Sequence, residues 1–154
     1  MTLEKIIAGG QTGVDRGALD AALEAPFPCG GWCPADRASE DGPIPARYPV
    51  TPLLRGGYRE RTRQNVLDSD GTAILYQTTL VGGTLLTLNF CKRTGKPYCL
   101  IDAVKVSARE AAAEIDRFID AHAIRTLNVA GPRLSGWPQG HEFTQRTLHA
   151  LLRG

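Results

Sequence analysis

The residues best suited to bind a ligand in this 154-residue chain form a glycine-rich turn near its start. Gly9-Gly10-Gln11-Thr12-Gly13 follows a short apolar run and precedes a helical pattern that carries Asp15 and Arg16. Such a turn directs backbone N–H groups toward the partially positive end of a helix, where a phosphate binds well. The spacing matches neither G-x-G-x-x-G nor G-x-x-x-x-G-K-[ST], so a tight turn without a ligand stays the alternative.

Two later turns repeat this arrangement of strand, glycine and helix. Gly82-Gly83-Thr84 opens a helix predicted from Leu85 to about Arg93, and Gly131-Pro132-Arg133 follows the last predicted strand. Because parallel strands all end at one edge of their sheet, we expect the three turns to face a common crevice. The predicted binding residues are Gly9, Gly10, Gln11, Thr12, Gly13, Asp15, Arg16, Arg61, Asp70, Gly82, Gly83, Thr84, Gly131 and Arg133.

Charged side chains would complete such a site. Arg16, Arg61 or Arg133 could pair bidentately with phosphate, although each is also an ordinary surface residue type. Asp68 and Asp70 have the spacing for Mg²⁺ shared with a phosphate, against the alternative that they end a helix and cap the next turn. Asp70 could also contact a ribose hydroxyl or position Arg61.

Two tryptophans are candidate stacking surfaces for a flat ring. Trp32 and Trp137 both lie in glycine- and proline-rich segments, where packing beneath a loop is an equally good interpretation.

A hydrolytic site is harder to assemble from this sequence. The chain has no G-x-S-x-G motif, and no cysteine has an evident histidine partner. Glu40 and Asp41 are the acids that could move over a ligand, and Asp41 or Asp70 with a metal is the alternative arrangement for a nucleotide hydrolase. Binding without catalysis is therefore the leading interpretation.

The elements that would position these residues alternate between strand and helix. Short apolar runs at Ile6–Ala8, 72–76, 97–102 and 124–130 predict buried strands, with a very short strand near Cys29. Helical patterns separate them, and Ser107 with Glu110 forms a predicted capping box. This order predicts one α/β domain over 1–154, with a doubly wound, mostly parallel sheet of about five strands and helices on both faces.

The segment from about 35 to 57, called the cover below, is rich in proline and glycine. Its proline density excludes a long helix or a central strand. Tyr48, Leu53, Leu54 and Tyr58 are its expected apolar anchors, and disorder is the alternative.

Composition excludes several classes of protein. A net charge of +2 with scattered basic residues argues against nucleic-acid binding, and no apolar run is long enough for a membrane span. Without a signal-peptide pattern, we expect a cytoplasmic protein. The four cysteines, Cys29, Cys33, Cys91 and Cys99, are expected to be reduced core residues rather than zinc ligands.

Motifs along nearly the whole chain resemble the molybdenum carrier proteins of the YpsA-like branch of the SLOG superfamily. The most specific are the opening turn through Asp20 and the block from Arg61 to Thr72; the others are Gly31-Trp32-Cys33-Pro34, Glu40-Asp41-Gly42, Gly82-Gly83-Thr84, Lys96-Pro97 and Ala130-Gly131-Pro132-Arg133. The resemblance implies a Rossmann-like fold, a homo-oligomer, and binding of molybdenum cofactor or another nucleotide-derived ligand.

Phosphoribohydrolases of the same superfamily carry a P-G-G-x-G-T-x-x-E motif with a catalytic glutamate. Here Gly82-Gly83-Thr84 is followed by Leu85-Leu86-Thr87-Leu88-Asn89, without an acid. This departure argues against their hydrolase activity in this chain.

Overall fold

The computed structural model describes residues 1–153, which contain nine strands and five α-helices. The strands are β1 (Lys5–Ile7), β2 (Cys29–Gly30), β3 (Trp32–Cys33), β4 (Ala38–Ser39), β5 (Gly42–Pro43), β6 (Thr51–Pro52), β7 (Gly71–Tyr76), β8 (Tyr98–Asp102) and β9 (Thr126–Ala130). The helices are α1 (Val14–Glu24), α2 (Tyr58–Leu67), α3 (Gly82–Thr94), α4 (Ala108–His122) and α5 (Gly140–Arg153), with a short 3₁₀ helix at Leu134–Gly136.

Five strands form one parallel sheet in the order β2-β1-β9-β7-β8. Its central strands read as continuous apolar runs because helices cover both faces of the sheet. The last strand in sequence, β9, lies between β1 and β7, and Leu127 pairs with both Ile6 and Gly71. The predicted α/β, Rossmann-like architecture is confirmed.

The helices divide between the two faces of this sheet. On one face α5 packs between α1 and α4, and these three helices share the main core with the sheet. The approach of α1 to α5 is close, since a Cβ at Gly17 would lie 2.5 Å from the carbonyl oxygen of His141. On the other face α2 packs on α3 around Val66 and Phe90.

The cover lies against the N-terminal half of α1, where Arg16 and Leu19 contact it, and contains short pieces of sheet. Its β4 and β5 form a small antiparallel hairpin, and its β6 pairs in parallel with β3. Ile44, Tyr48 and Val50 are buried in a second apolar cluster. Two of the expected anchors are wrong: Leu54 is fully exposed and Tyr58 is 43% exposed.

Two helix boundaries bear on the predicted site. Ser107 caps α4 as predicted, accepting from the N–H of Glu110 at 3.2 Å. Helix α3, however, begins at Gly82 rather than Leu85, so the paired glycines form its first turn instead of a preceding loop. Gly95 ends this helix with φ 71°, the left-handed conformation that a helix C-terminus favours.

The cysteines are free thiols, and burial raises the pKa of each, that of Cys99 to about 12. Within residues 1–153, no cluster of three or more His, Cys, Asp or Glu side chains is arranged to hold a metal ion. No helix described in these residues is long and apolar enough to cross a membrane.

Candidate ligand-binding site

A cavity of about 480 Å³ opens beside the carboxyl end of β9, between α2, α3 and the segment that follows β9. Its volume is typical of pockets for small molecules, which range from about 300 to 1,000 Å³. The cavity is lined by Gln11, Asp15, Tyr58, Arg61, Thr62, Val81, Gly82, Gly83, Thr84, Thr87, Ala130, Gly131, Pro132, Arg133, Ser135 and Gly136. It lies where ligands bind in open α/β sheets, at the carboxyl ends of strands whose order reverses.

The N-terminus of α3 forms one wall of this cavity. Val81 precedes the helix and contributes no side-chain cap, and the first backbone bonds run from Thr84 and Leu85 to its carbonyl oxygen, at 3.2 and 3.3 Å. A Cβ added at Gly82 or Gly83 would meet no atom within 4 Å, so nothing obstructs the first turn. An uncapped, unobstructed helix N-terminus offers N–H donors and a partial positive charge.

Arg61 brings a positive charge to the same cavity and is held there by Asp15. Its Nη1 donates to Asp15 Oδ2 at 3.2 Å, and the side chains are only 13% and 5% exposed. Arg61 also lies directly against Gly9, where any Cβ would overlap the guanidinium. Burial raises the pKa of Asp15, while the charge on Arg61 opposes this rise.

The Nε of Arg61 is buried and has no hydrogen-bond partner within residues 1–153. The guanidinium carbon lies 5.6 Å from the centroid of the Tyr58 ring, and both residues line the cavity. A buried cation with an unused donor favours an acceptor group beside it, such as a water or a ligand oxygen.

The first glycine turn is largely occupied by the chain itself. The N–H of Gln11 donates to Asp15 at 3.2 Å, and the N–H of Thr12 donates to the Gln11 side chain at 3.0 Å. Gly13 has φ 84°, and a Cβ there would lie 2.6 Å from the carbonyl oxygen of Pro132. This turn therefore packs against the segment after β9. Two of the N–H donors that the sequence suggested for a phosphate already form hydrogen bonds within the chain.

Arg16 forms hydrogen bonds with the cover. Its Nη1 and Nη2 donate to the Asp41 carboxylate at 2.8 and 3.0 Å, its Nη2 also donates to Ser39 Oγ, and its Nε donates to the Gly10 carbonyl at 3.0 Å. The hydrogen bonds that Asp41 accepts from Arg16 and then from Ser39 lower its pKa to about 2. Because four hydrogen bonds to internal partners already engage the Arg16 guanidinium, its predicted phosphate contact gains no support from the structure.

Glu40 joins the cover to the segment that borders the cavity. Its carboxylate accepts from the N–H of Ser135 at 3.1 Å, from the Ser135 hydroxyl at 2.6 Å, and from the Thr12 hydroxyl. The Thr12 hydroxyl in turn accepts from the N–H of Leu134 at 3.1 Å. The hydrogen bonds from Ser135 and then Thr12 lower the pKa of Glu40. Glu40 and Asp41 therefore attach the cover to the first glycine turn, to α1 and to the segment after β9.

Asp70 lies at the opposite edge of the sheet, because it precedes β7 whereas the cavity lies where strands end. Its Oδ2 accepts from the N–H groups of Arg125 and Thr126 at 3.0 and 2.9 Å, at the start of β9. Asp68 accepts from the Trp32 indole at 2.5 Å. The predicted ligand and Mg²⁺ contacts of this pair gain no support from the structure, because a residue before β7 lies far from the carboxyl ends of the parallel strands, where the cavity opens.

The fourteen predicted residues separate into three groups. Those that line the cavity are Gln11, Asp15, Arg61, Gly82, Gly83, Thr84, Gly131 and Arg133. Gly9 lies under Arg61, whereas Gly10, Thr12, Gly13 and Arg16 take part in contacts between the first turn and its neighbours. Asp70 is distant. A Cβ at Gly131 would overlap the Leu75 carbonyl oxygen, so this glycine permits close packing.

The aromatic wall differs from the prediction. Trp137 is 2% exposed and packs on Phe143, and Trp32 is not among the residues that line the cavity. Tyr58 lines it instead, together with Thr62 on the same helix. The sequence did carry a signal for this arrangement. Tyr58, Arg61 and Thr62 stand at positions i, i+3 and i+4, which share one face of a helix.

Sequence and structure comparisons agree with this architecture. A sequence model described as the circularly permutated YpsA SLOG family matches residues 6–152. The chain belongs to this family. The crystal structure of a putative molybdenum carrier protein from Syntrophus aciditrophicus SB is similar, with 41% sequence identity, a TM-score of 0.95, and coverage of 98% of this chain and 96% of that one. No curated protein matches the chain significantly.

Membership of the circularly permutated YpsA SLOG family confirms the superfamily expected from the motifs. The first turn of α3 carries no acidic residue, so the catalytic glutamate of the related phosphoribohydrolases has no counterpart at this helix end. The nucleotide-hydrolase alternative therefore gains no support from the cavity.

Proposed function

We propose that this chain is a binding or carrier protein for a small phosphate-bearing ligand, with the phosphate at the N-terminus of α3 and beside Arg61. The observation that carries the proposal is the meeting of two anion-binding features in one cavity. The open first turn at Gly82 and Gly83 lines the same space as Arg61, whose buried Nε has no partner within residues 1–153. Arg133, an exposed cation at the rim, adds to the positive field.

One phosphate position fits this cavity better than a position at each of three glycine turns. The turn at residues 9–13 already donates to Asp15 and Gln11, and a carboxylate beside it would repel a second anion. Its role in the proposal is indirect: it supplies Asp15 and Gly9, against which Arg61 lies.

The ligand is molybdenum cofactor or a nucleotide. The first is what the resemblance to the carrier family implies, and the Syntrophus aciditrophicus relative is named a putative molybdenum carrier protein; both candidate ligands contain a phosphate and a flat ring. The phosphate fits the α3 terminus and Arg61. Because residues 1–153 contain no cluster of metal-ligating side chains, the chain would hold a molybdenum-containing ligand through its phosphate and ring rather than through the metal.

Native mass spectrometry of the purified protein, with analysis of the molecule released on denaturation, is the first test. The wild type should retain a phosphate-bearing molecule, and Arg61→Met should lose it while Arg63→Met retains it. Arg63 is the matched control because it is an exposed arginine of α2 that does not line the cavity. A released pterin phosphate with molybdenum supports the carrier assignment, and a released nucleotide supports the nucleotide alternative.

A protein purified empty is tested by thermal unfolding with inorganic phosphate, pyrophosphate and AMP. Binding to the folded state raises the melting temperature by mass action. A rise in wild type and Arg63→Met that is absent in Arg61→Met and Gly83→Asp supports the proposal. If no phosphate compound raises the melting temperature, or if all four proteins respond equally, the proposal is wrong.

A further inference from the structure

We infer that Tyr58 is a specificity-determining residue, which stacks against a planar heteroaromatic ring in the ligand; this rests on the proposed phosphate position. Tyr58 lines the cavity and is 43% exposed, so part of its ring is accessible to a ligand bound there. The cavity thus selects for a compound that carries a ring as well as a phosphate.

The position of Tyr58 is fixed by the start of α2. Glu60 Oε1 accepts from the N–H of Gly57 at 2.8 Å, which closes the capping interaction at this helix end. The body of α2 is anchored by Asn65, which exchanges hydrogen bonds of 2.8 and 3.0 Å with the backbone of Trp32. The ring therefore projects from a rigid helix rather than from a mobile loop, and stacking on it would cost little ordering.

The distance between Tyr58 and Arg61 sets the form of the ligand. The guanidinium carbon lies over the Tyr58 ring, 5.6 Å from its centroid, so an anion bound to Arg61 and a ligand ring on the exposed part of Tyr58 would occupy adjacent parts of the cavity. A ligand that uses both has its ring and phosphate separated by a short linker. A nucleoside monophosphate and a phosphorylated pterin both have this form, whereas inorganic phosphate and sugar phosphates lack a planar heteroaromatic ring.

Other aromatic side chains are poor candidates for this role. Trp137 is buried and packs on Phe143, and Trp32 donates its indole N–H to Asp68 away from the cavity. Apolar contacts from Val81 and Pro132 line the cavity and would contact the remaining surface of a flat ring. Tyr58 is the aromatic residue that lines this cavity within residues 1–153.

The test compares AMP with ribose 5-phosphate, which share the phosphate and differ in the base. Dissociation constants are measured by calorimetry for wild type, Tyr58→Leu and Tyr58→Phe, with Tyr98→Leu as the matched control. Tyr98 is 36% exposed on β8 and does not line the cavity. The wild type should bind AMP more tightly than ribose 5-phosphate. Tyr58→Leu should weaken AMP about five- to hundredfold, the range measured for base stacking, without changing ribose 5-phosphate.

Tyr58→Phe and Tyr98→Leu should keep the preference for AMP, because both retain an aromatic ring at position 58. A fluorescent probe, 2-aminopurine ribonucleoside 5′-phosphate, adds a direct readout: its emission should be quenched on binding to wild type and to Tyr58→Phe but not to Tyr58→Leu.

The outcomes separate this inference from the proposed function. If both compounds bind equally to wild type, or if Tyr58→Leu keeps the preference for AMP, the stacking role is wrong while the phosphate position stands. If Tyr58→Leu weakens both compounds alike, Tyr58 positions Arg61 rather than stacking, which also overturns the inference. If neither compound binds to wild type, both the inference and the proposed function fail.

Discussion

Arg61 and Asp15 form an ion pair across the carboxyl end of the sheet, with 3.2 Å between Nη1 and Oδ2. The pair connects α2, which carries Arg61, to the first turn of α1, which carries Asp15. Because both side chains are largely buried, each charge depends on the other for compensation. The pair therefore stabilises the junction of two helices and at the same time holds a cation against the cavity.

We predict strong coupling between these two residues in a double-mutant cycle. Asp15→Asn and Arg61→Met should each lower the free energy of unfolding by about 3 kcal/mol, because each leaves a buried charge uncompensated. The double variant should lose less than the sum of the two, with a coupling energy of about 1–3 kcal/mol. Chemical denaturation measures all four proteins. Asp116→Asn and Arg63→Met, two exposed residues, should have little effect, and strictly additive losses at Asp15 and Arg61 would contradict the coupling.

Gly131 and Gly83 should respond differently to alanine. At Gly131 a Cβ would overlap the Leu75 carbonyl and lie 2.6 Å from Val14 Cγ2, so Gly131→Ala should lower the free energy of unfolding by about 2 kcal/mol. At Gly83 the space is open, and Gly83→Ala should change it by less than about 1 kcal/mol. Thermal and urea unfolding compare the two variants. Equal losses of stability would mean that close packing at Gly131 does not determine the cost of adding a Cβ there.

Removing the charge of Glu40 should loosen the cover. Glu40→Gln weakens the bonds to Ser135 and Thr12 that join the cover to the cavity rim. We expect tryptic cleavage within the cover, at the exposed Arg47 and Arg55, to accelerate about fivefold, the effect of about one net hydrogen bond on a local opening equilibrium. Glu4→Gln, an exposed acid outside the cover, is the control and should cleave at the wild-type rate. Unchanged cleavage in Glu40→Gln would show that the apolar anchors alone hold the cover.

Protonation of Asp41 at low pH should also loosen the cover. The hydrogen bonds from Arg16 lower the pKa of Asp41 from 3.8 to about 2, so the stabilising ionised form is complete above about pH 4 and is lost as the pH falls toward 2. Pepsin, which is active in this range, should cleave the cover faster at pH 2 than at pH 4, beyond the change in its rate on an unfolded peptide. In Asp41→Asn the cover should be loose at both values, and an equal pH response in the two proteins would contradict this role.

The alternation of apolar runs with helical patterns was enough to predict the α/β architecture and most of its elements. Ser107 was predicted correctly as a helix cap because its signal, with Glu110 three residues later, is local. The start of α3 was misplaced because Gly82 and Gly83 are poor helix formers by propensity, and position in the fold outweighs propensity.

The different roles of the predicted site residues could be assigned only from the structure. Sequence placed Arg16 and Arg61 in the same class, because both are arginines near glycine turns. Arg16 donates to Asp41 and Ser39, whereas Arg61 keeps an unpartnered Nε within residues 1–153. Partners from segments more than twenty residues away decide this difference, and no local pattern reports them.

The sequence by itself determined the alternation of strands and helices, the glycine turns at their ends and the acid missing after Thr84. These follow from hydrophobic periodicity and residue type, which act over a few neighbours. Only the tertiary structure decided that Asp70 lies at the far edge of the sheet, that Trp137 is buried, and that Tyr58 and Arg61 line the cavity together. The physical reason is that strand order and side-chain burial depend on packing between segments far apart in the chain.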